Sequence, residues 1–342
     1  MPLGCMKTKV KRLGEKELDA RKRLSKMLHF SPLFLLIMII IILFLVNPSM
    51  FTSSSVLLIL QQSMPLIILA LGNMMVLMSG GMDMSAAQGV AFYVMVFGML
   101  VDSTHSVLIP GILTVLVAIA VGLFNGIFIG IFNLPSFFVT LASMSILQGL
   151  ALVLSSTRLI ILNNKTLKFL ASGYVGFIPS SMIYAAIIAV FIALIMRYTR
   201  FGANVCAIGS NLTAAKVNGV NITNVQLKIY ALSAAMAVLT SILLTARASV
   251  ITPGIGGATY LLDAVAATII GGTSIVGGRG NVAGTIVGAI IISLISYCIT
   301  ALGIQSTSVD MFKGLVVVFA LCFDTLVNKY GASLERKLGS NA

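Results

Sequence analysis

A glycine-rich stretch, GGTSIVGGRGN at residues 271–281, comes closest to the spacing of a phosphate-binding loop. Gly272 and Gly277 are separated by four residues, as in the loop that cradles the phosphates of ATP. That loop continues with Lys and then Ser or Thr, whereas this stretch continues with Gly278 and Arg279. We therefore expect no ATP site in this chain and no cofactor bound by it.

Two carboxylates, Asp83 in GGMDMS and Asp263 in YLLDA, lie beside or within apolar segments. Such a pair is compatible with an intramembrane aspartyl hydrolase, in which one carboxyl group keeps its proton. The interpretation we prefer makes Asp83 a helix cap that accepts backbone N–H groups. His29 and His105 lie outside the apolar segments, so neither a Ser/His pair nor a metal site is predicted there.

The composition places the chain in a membrane. Of its 342 residues 58% are hydrophobic and only 9% are charged, whereas soluble domains carry roughly 25% charged residues. The net charge of +13 does not indicate nucleic-acid binding, because nine of the 22 Lys and Arg precede residue 27 and no basic face is interleaved with aromatics. That distribution is typical of a cytoplasmic flank held against anionic lipid.

Apolar runs of about 20 residues predict an all-α polytopic membrane protein with about ten helices, some short or broken by glycine. The predicted segments are 31–47, 62–79, 84–101, 107–131, 136–156, 180–198, 222–246, 260–271, 281–302 and 308–327. With both termini in the cytoplasm, seventeen Lys and Arg lie inside and five outside. The predicted domains are a basic cytoplasmic segment 1–30, a membrane domain 31–328 and a cytoplasmic tail 329–342.

Two loops are long. Residues 157–179 are expected outside, and residues 199–221 inside, where the chain is polar and long enough for a short helix with its own turn. From composition alone, the inside loop is equally compatible with a solvated connector and with a docking element for a partner.

Polar residues recur within the predicted helices. Some will only join helices through hydrogen bonds, but others are candidates for a translocation path. The path candidates are Asn73, Asp83, Gln88, Asn125, Gln148 and Asp263. Amides and hydroxyls without many ion pairs suit a neutral polyhydroxyl solute better than an ion.

Four stretches together resemble one family, the membrane permease of ribose-type ABC importers. They are GGMDMS at 80–85, LPSFFVTLASMSILQGLALVL at 134–154, RFGANVCAIGSNLTAAKVNGVNI at 200–222 and LDAVAATIIGGTSIVGGRGNVAGTIVGAIII at 262–292. The resemblance runs from about residue 55 to 325. It implies a multi-pass protein of the bacterial inner membrane that pairs with a second permease, the same or homologous. It also implies a cytoplasmic ATPase that holds ATP and Mg²⁺, and an extracytoplasmic sugar-binding protein.

The same resemblance assigns ATPase docking to the inside loop. Family members dock a short segment often written Glu-Ala-Ala-x3-Gly, which Thr213, Ala214, Ala215 and Gly219 match except for the glutamate. We expect the two alanines and the glycine to be small because a partner surface approaches them. Gly209 and Asn211 complete the predicted coupling residues.

The glycines of the first stretch then have a different explanation. They allow the eighth helix to end early and the ninth to begin after a tight inside turn, with Asn281 as its cap. The predicted breaks are at Gly80, Gly81, Gly271, Gly272, Gly277, Gly278 and Gly280. The transported solute stays open. A permease for branched-chain amino acids or nucleosides is the alternative within transport, and the aspartyl hydrolase is the alternative outside it.

Overall fold

A computed structural model describes residues 32–41, 43–45, 48–155, 160–248 and 250–303, together with positions 311, 314, 315 and 318. The predicted terminal segments 1–30 and 329–342 lie outside the described residues, as does most of the predicted tenth helix, 308–327.

Helices dominate the described part of the chain. An apolar helix, α1 (Pro32–Leu45, of which residue 42 is not described), precedes a 3-10 turn at Pro48–Phe51. The remaining helices are α2 (Ser53–Met78), α3 (Ser85–Thr104), α4 (Leu108–Gly130), α5 (Ser136–Ser155), α6 (Lys165–Ser172), α7 (Ser180–Tyr198), α8 (Arg200–Ser210), α9 (Leu212–Val217), α10 (Ile222–Arg247), α11 (Gly257–Ile270) and α12 (Val282–Ala301).

Seven of the described helices, α2 to α5, α7, α10 and α12, are long and apolar enough to cross a membrane. Each of the nine predicted segments from 31–47 to 281–302 coincides with one helix, although α2 begins nine residues before the predicted 62. The chain is an all-α polytopic membrane protein. Within the described residues, short antiparallel strands occur in the connections: β1 (Ile160–Ile161) pairs with β4 (Val250–Ile251), and β2 (Tyr174–Val175) pairs with β3 (Ile178–Pro179).

Helix α2 lies at the centre of the core. It is buried from Ser63 to Met78 and packs against α7, α10, α11 and α12. A helix that is apolar on all sides has no face to offer to water, so its position inside a bundle follows from its composition.

Helices α4 and α10 approach each other closely. Gly122, Gly126 and Gly130 form a stripe at four-residue spacing along one face of α4. A Cβ atom added at Gly126 would lie 2.8 Å from the Cα atom of Leu227, and one at Gly130 would lie 3.1 Å from the Cα atom of Thr223. Such small residues let two backbones approach, which gives van der Waals contact where lipid supplies no hydrophobic driving force.

The connections gather at two opposite faces of the bundle. The α8/α9 face holds the 199–221 segment and the α2–α3, α4–α5 and α11–α12 turns. Two hydrogen bonds join these turns. The Met82 amide donates to Ser136 Oγ at the start of α5 (3.1 Å), and the Gly278 amide donates to the Met78 carbonyl at the end of α2 (2.9 Å). On the α6 face, Asn164 Nδ2 donates to the His105 carbonyl (3.1 Å) and Arg247 Nη1 to the Gln61 carbonyl (3.0 Å). This segregation is the one expected for helices that cross a layer alternately.

Candidate functional site

The 199–221 segment contains two short helices, α8 and α9, which follow one another almost without interruption. Thr199 begins α8 by accepting the Phe201 amide on its hydroxyl (3.2 Å). Asn211 separates the two helices and caps α9, since its Oδ1 accepts the Ala214 amide (2.9 Å). Side-chain caps at both starts replace the missing intrahelical acceptors, which explains how helices this short are held.

Gly209, near the end of α8, touches two other turns through backbone alone. A Cβ atom there would collide with the Met78 carbonyl oxygen and would lie 2.5 Å from the Gly278 amide nitrogen. A Cβ atom at Gly277 would lie 2.8 Å from the Gly209 carbonyl oxygen and 3.0 Å from the Cα atom of Gly80. We call these four residues, Gly80, Gly209, Gly277 and Gly278, the glycine node.

The glycine node joins α8 to both glycine-broken turns. The α2–α3 turn supplies Gly80 and the α11–α12 turn supplies Gly277 and Gly278, all with positive φ (78°, 101° and 77°). Positive φ is strained for residues with a Cβ atom, and at Gly277 and Gly278 the contact distances also leave no room for one. Any displacement of the end of α8 therefore acts directly on both turns.

The α11–α12 turn is closed by its own hydrogen bonds. The Ser274 amide donates to the Arg279 carbonyl (3.0 Å) and the Gly277 amide to the Ser274 carbonyl (3.2 Å). A phosphate-binding loop aims its amides at the ligand, whereas these amides, like that of Gly278, already donate within the protein. Asn281 caps α12 as predicted, since its Oδ1 accepts the Ala283 amide (3.2 Å).

The predicted coupling residues fall into two groups. Ala214 is exposed, but Ala215 is only 4% exposed and packs into the chain's own core. Packing within this chain therefore accounts for the small size of Ala215, and its part in ATPase docking stays a prediction. Gly219 has φ +79° with nothing within 4 Å of an added Cβ atom, so its role at the end of α9 is conformational.

Burial raises the pKa of the Cys206 thiol in α8, so the thiol stays protonated.

A chain of buried hydrogen bonds runs through Asp83. Its Oδ1 accepts the Ser85 amide (3.0 Å) and the Ser85 hydroxyl (2.6 Å), and its Oδ2 accepts the Ser233 hydroxyl of α10 (2.8 Å). Asn125 Nδ2 on α4 donates to Ser85 Oγ (3.0 Å), and the Ser143 hydroxyl on α5 donates to Asn125 Oδ1. The chain connects the start of α3 with α4, α5 and α10. Asp83 accepts the amide of Ser85, the first residue of α3, from the position before the N-cap residue Met84, whose own side chain makes no cap bond.

The path candidates do not share one surface within this chain. Asn73, Asp83, Gln88, Asn125 and Asp263 are buried, whereas Gln148 on α5 is exposed. Asp83 accepts hydrogen bonds from Ser85 and Ser233, and its pairing with Asp263 in an aspartyl hydrolase stays an alternative prediction. Their roles in transport stay predictions.

Sequence reasoning missed the bond from Ser233 to Asp83. It also missed the contacts of Gly209 with Gly80 and with the 277–278 turn. Ser233 lies in an apolar run, LSAAMA. Nothing in one sequence distinguishes it from Ser241, whose hydroxyl donates to the Val238 carbonyl of its own helix (2.7 Å). The glycines of the breaks were visible, but their partner Gly209 lies about 130 residues from Gly80, and no local pattern joins them.

Known proteins are similar in sequence to this chain over most of its length. A family model described as "Branched-chain amino acid transport system / permease component" matches residues 55–321. The chain belongs to this family. It is 32% identical to the ribose import permease protein RbsC of Bacillus subtilis (strain 168), over 93% of this chain and 98% of that protein. It is 34% identical to the galactose/methyl galactoside import permease protein MglC of Salmonella typhimurium, over 78% of this chain and 85% of that protein.

The family match covers all four stretches on which the resemblance depends, and every long helix except the first residues of α2. The chain is thus an ABC-type permease component and a multi-pass membrane protein. No solved structure matches it.

Proposed function

We propose that the chain is the permease subunit of an ATP-driven importer in a bacterial inner membrane, and that its solute is a sugar or related polyol. The names of its relatives support the solute class, since they are ribose and galactose permeases. In this proposal the chain has ten spans with both termini in the cytoplasm, and an extracytoplasmic binding protein delivers the sugar. ATP and Mg²⁺ are held by a separate ATPase subunit.

The α8/α9 face is the cytoplasmic face in this proposal. The excess of Lys and Arg on the inside connections supports that orientation, and Arg197, Arg200, Lys216 and Arg279 all lie exposed there. The α6 face then meets the binding protein.

The glycine node is the observation that carries the proposed mechanism. Helix α9 offers the ATPase the exposed side chains of Leu212 and Val217, the latter 82% exposed. A movement of the ATPase on nucleotide binding would shift α9 and the end of α8, and the glycine node would pass that shift to both helix breaks. A ligand biases a two-state element only by contacting its states differently, so in this proposal the ATPase contacts α9 differently with and without nucleotide.

A second permease, the same or homologous, completes the path in this proposal. Helices α4 and α5 are the least buried of the long helices, and their exposed residues include Gln148. The path then lies between two subunits, where Gln148 can line it, and the buried candidates Asp83 and Asn125 join helices within one subunit.

The test is transport by purified components. The chain is co-expressed with a candidate ABC ATPase from the same organism and reconstituted in liposomes with the binding protein and labelled ribose or galactose. We expect uptake that requires both ATP and the ATPase. Sugar uptake by the chain alone would indicate an ion-coupled carrier. ATP-dependent uptake of leucine instead of sugar would favour the branched-chain amino acid permease that the family description names.

A further inference from the structure

The α11–α12 turn carries an apolar tip that the proposed function does not use. Val276 is 87% exposed and its neighbour Ile275 is 42% exposed, although the turn beneath them is closed by hydrogen bonds. A turn that is closed by its own hydrogen bonds and leaves two adjacent apolar side chains uncovered by this chain can serve as a contact surface.

We propose that this turn is a second docking element for the ATPase, and that its tip forms one surface with α9. The proposal rests on the proposed function, because it assigns a further contact to the same partner. We call this surface the docking surface; it consists of Leu212, Lys216, Val217, Ile275, Val276 and Arg279.

Continuity with α9 is the first argument. Gly277 lies against Gly209, and a Cβ atom at Gly278 would lie 3.0 Å from the Cα atom of Ser210. Val276 precedes that contact by one residue, and Leu212 follows it by two. Because consecutive Cα atoms are about 3.8 Å apart, the two tips are within reach of one partner surface.

Charge is the second argument. Lys216 and Arg279 are exposed on the docking surface, and Arg200 is exposed at the start of α8. The acidic residues in the described part of the chain are Asp83, Asp102 and Asp263; two are buried, and Asp102 lies at the α6 face. The partner that fits is therefore a soluble protein with an apolar groove bordered by acidic side chains. In this proposal the ATPase that holds α9 presents that groove, so that contact needs no second binding event.

Docking through two elements also has a mechanical advantage. Contact with α9 alone reaches the glycine node from Gly209. Contact with Val276 would act on the glycine node through the adjacent Gly277. The ATPase would then contact residues next to the node on two sides.

The experiment is photo-crosslinking in the full-length complex. A benzophenone amino acid is placed at Val276, at Val217 on α9, or at Phe177 on the α6 face, which is 99% exposed and serves as the control. Each chain is co-expressed with the ABC ATPase used in the transport test, irradiated in membranes, and the adduct is identified by mass. We expect ATPase adducts at Val276 and Val217 and none at Phe177.

The outcomes separate the two proposals. An ATPase adduct at Val217 but not at Val276 would leave the proposed function standing and overturn the second docking element. So would a Val276 adduct with lipid, with a second copy of this chain or with its own tail. Absence of ATPase adducts at both positions would overturn both. As a second measurement, Val276→Asp should weaken ATPase binding at least about tenfold, while Phe177→Asp leaves it unchanged.

Discussion

Asp83 has a structural role although its carboxylate lies in the protein interior, where burial of a charged group costs free energy. Its carboxylate is buried, and in the described part of the chain its hydrogen-bond partners are neutral: the Ser85 amide and hydroxyl and the Ser233 hydroxyl. A carboxylate that accepts several donors can remain in the interior, because the donors replace part of its hydration. The same bonds hold the start of α3 against α10.

Replacement of Asp83 tests this role. Asp83→Asn keeps one carbonyl oxygen for the Ser85 donors and should cost only about 1 kcal/mol, as cap replacements do. Asp83→Leu leaves the Ser85 amide and the Ser233 hydroxyl without acceptors and should cost about 3 kcal/mol. The measurement is thermal stability in detergent, followed by sugar uptake in liposomes.

Asp102→Asn near the other end of α3 is the matched control, because Asp102 is exposed and its replacement should change neither property. If Asp83→Asn were as damaging as Asp83→Leu, charge rather than capping would be required at this position. Peptide cleavage lost in both Asp83→Asn and Asp263→Asn would indicate the hydrolase instead.

Helices α4 and α10 form a pair in which one added side chain should force the two backbones apart. Gly126→Val would place a Cβ atom 2.8 Å from the Cα atom of Leu227, so the two backbones would have to separate. We expect a loss of about 1–3 kcal/mol. The separation should also break the bond between Asn125 and Ser85, because Asn125 lies next to Gly126 on α4. Thermal stability and uptake are the measurements.

Gly111→Val on the same helix is the control. Its added Cβ atom would meet only the Cδ1 atom of Ile242, at 4.0 Å, so the helix loses the same glycine without a clash. Equal losses in the two variants would show that valine lowers the stability of α4 itself and that the close approach to α10 carries no weight.

Elements were predictable where their length and composition decide them, and less so where packing does. Apolar runs of membrane length predicted nine helices that the structure contains. The start of α2 was placed too late because residues 53–61 are mixed in polarity and half exposed. Helix α9 has six residues, which is too short for a periodic signal, and its caps act only once the chain is placed. The burial of Ala215 follows from contacts distant in sequence, so its neighbours were not visible.

The segregation of connections into two faces makes the orientation of the whole molecule testable. Phe177 and Val276 are the most exposed large apolar side chains described on the α6 face and the α8/α9 face respectively. In a chain without its four native cysteines and expressed without the ATPase, Phe177→Cys should react with a membrane-impermeant maleimide in intact cells. Val276→Cys should react only in inverted vesicles.

A cysteine at Leu66, which is 3% exposed within α2, should remain unlabelled in both preparations and controls for leakage. The reverse pattern for Phe177→Cys and Val276→Cys would invert the molecule in the membrane. It would then exclude α9 as an element that an intracellular ATPase can reach.

The glycine node also sets an order for biosynthesis. The Met78 carbonyl accepts the Gly278 amide, and two hundred residues separate the two positions. At translation rates of about 5–20 residues per second, Gly278 is synthesised roughly 10–40 s after Met78. During that interval the first helix break has to be satisfied by water or by the insertion machinery. A nascent chain arrested before residue 277 would therefore hold most of its helices and still lack the closure that joins them to α8.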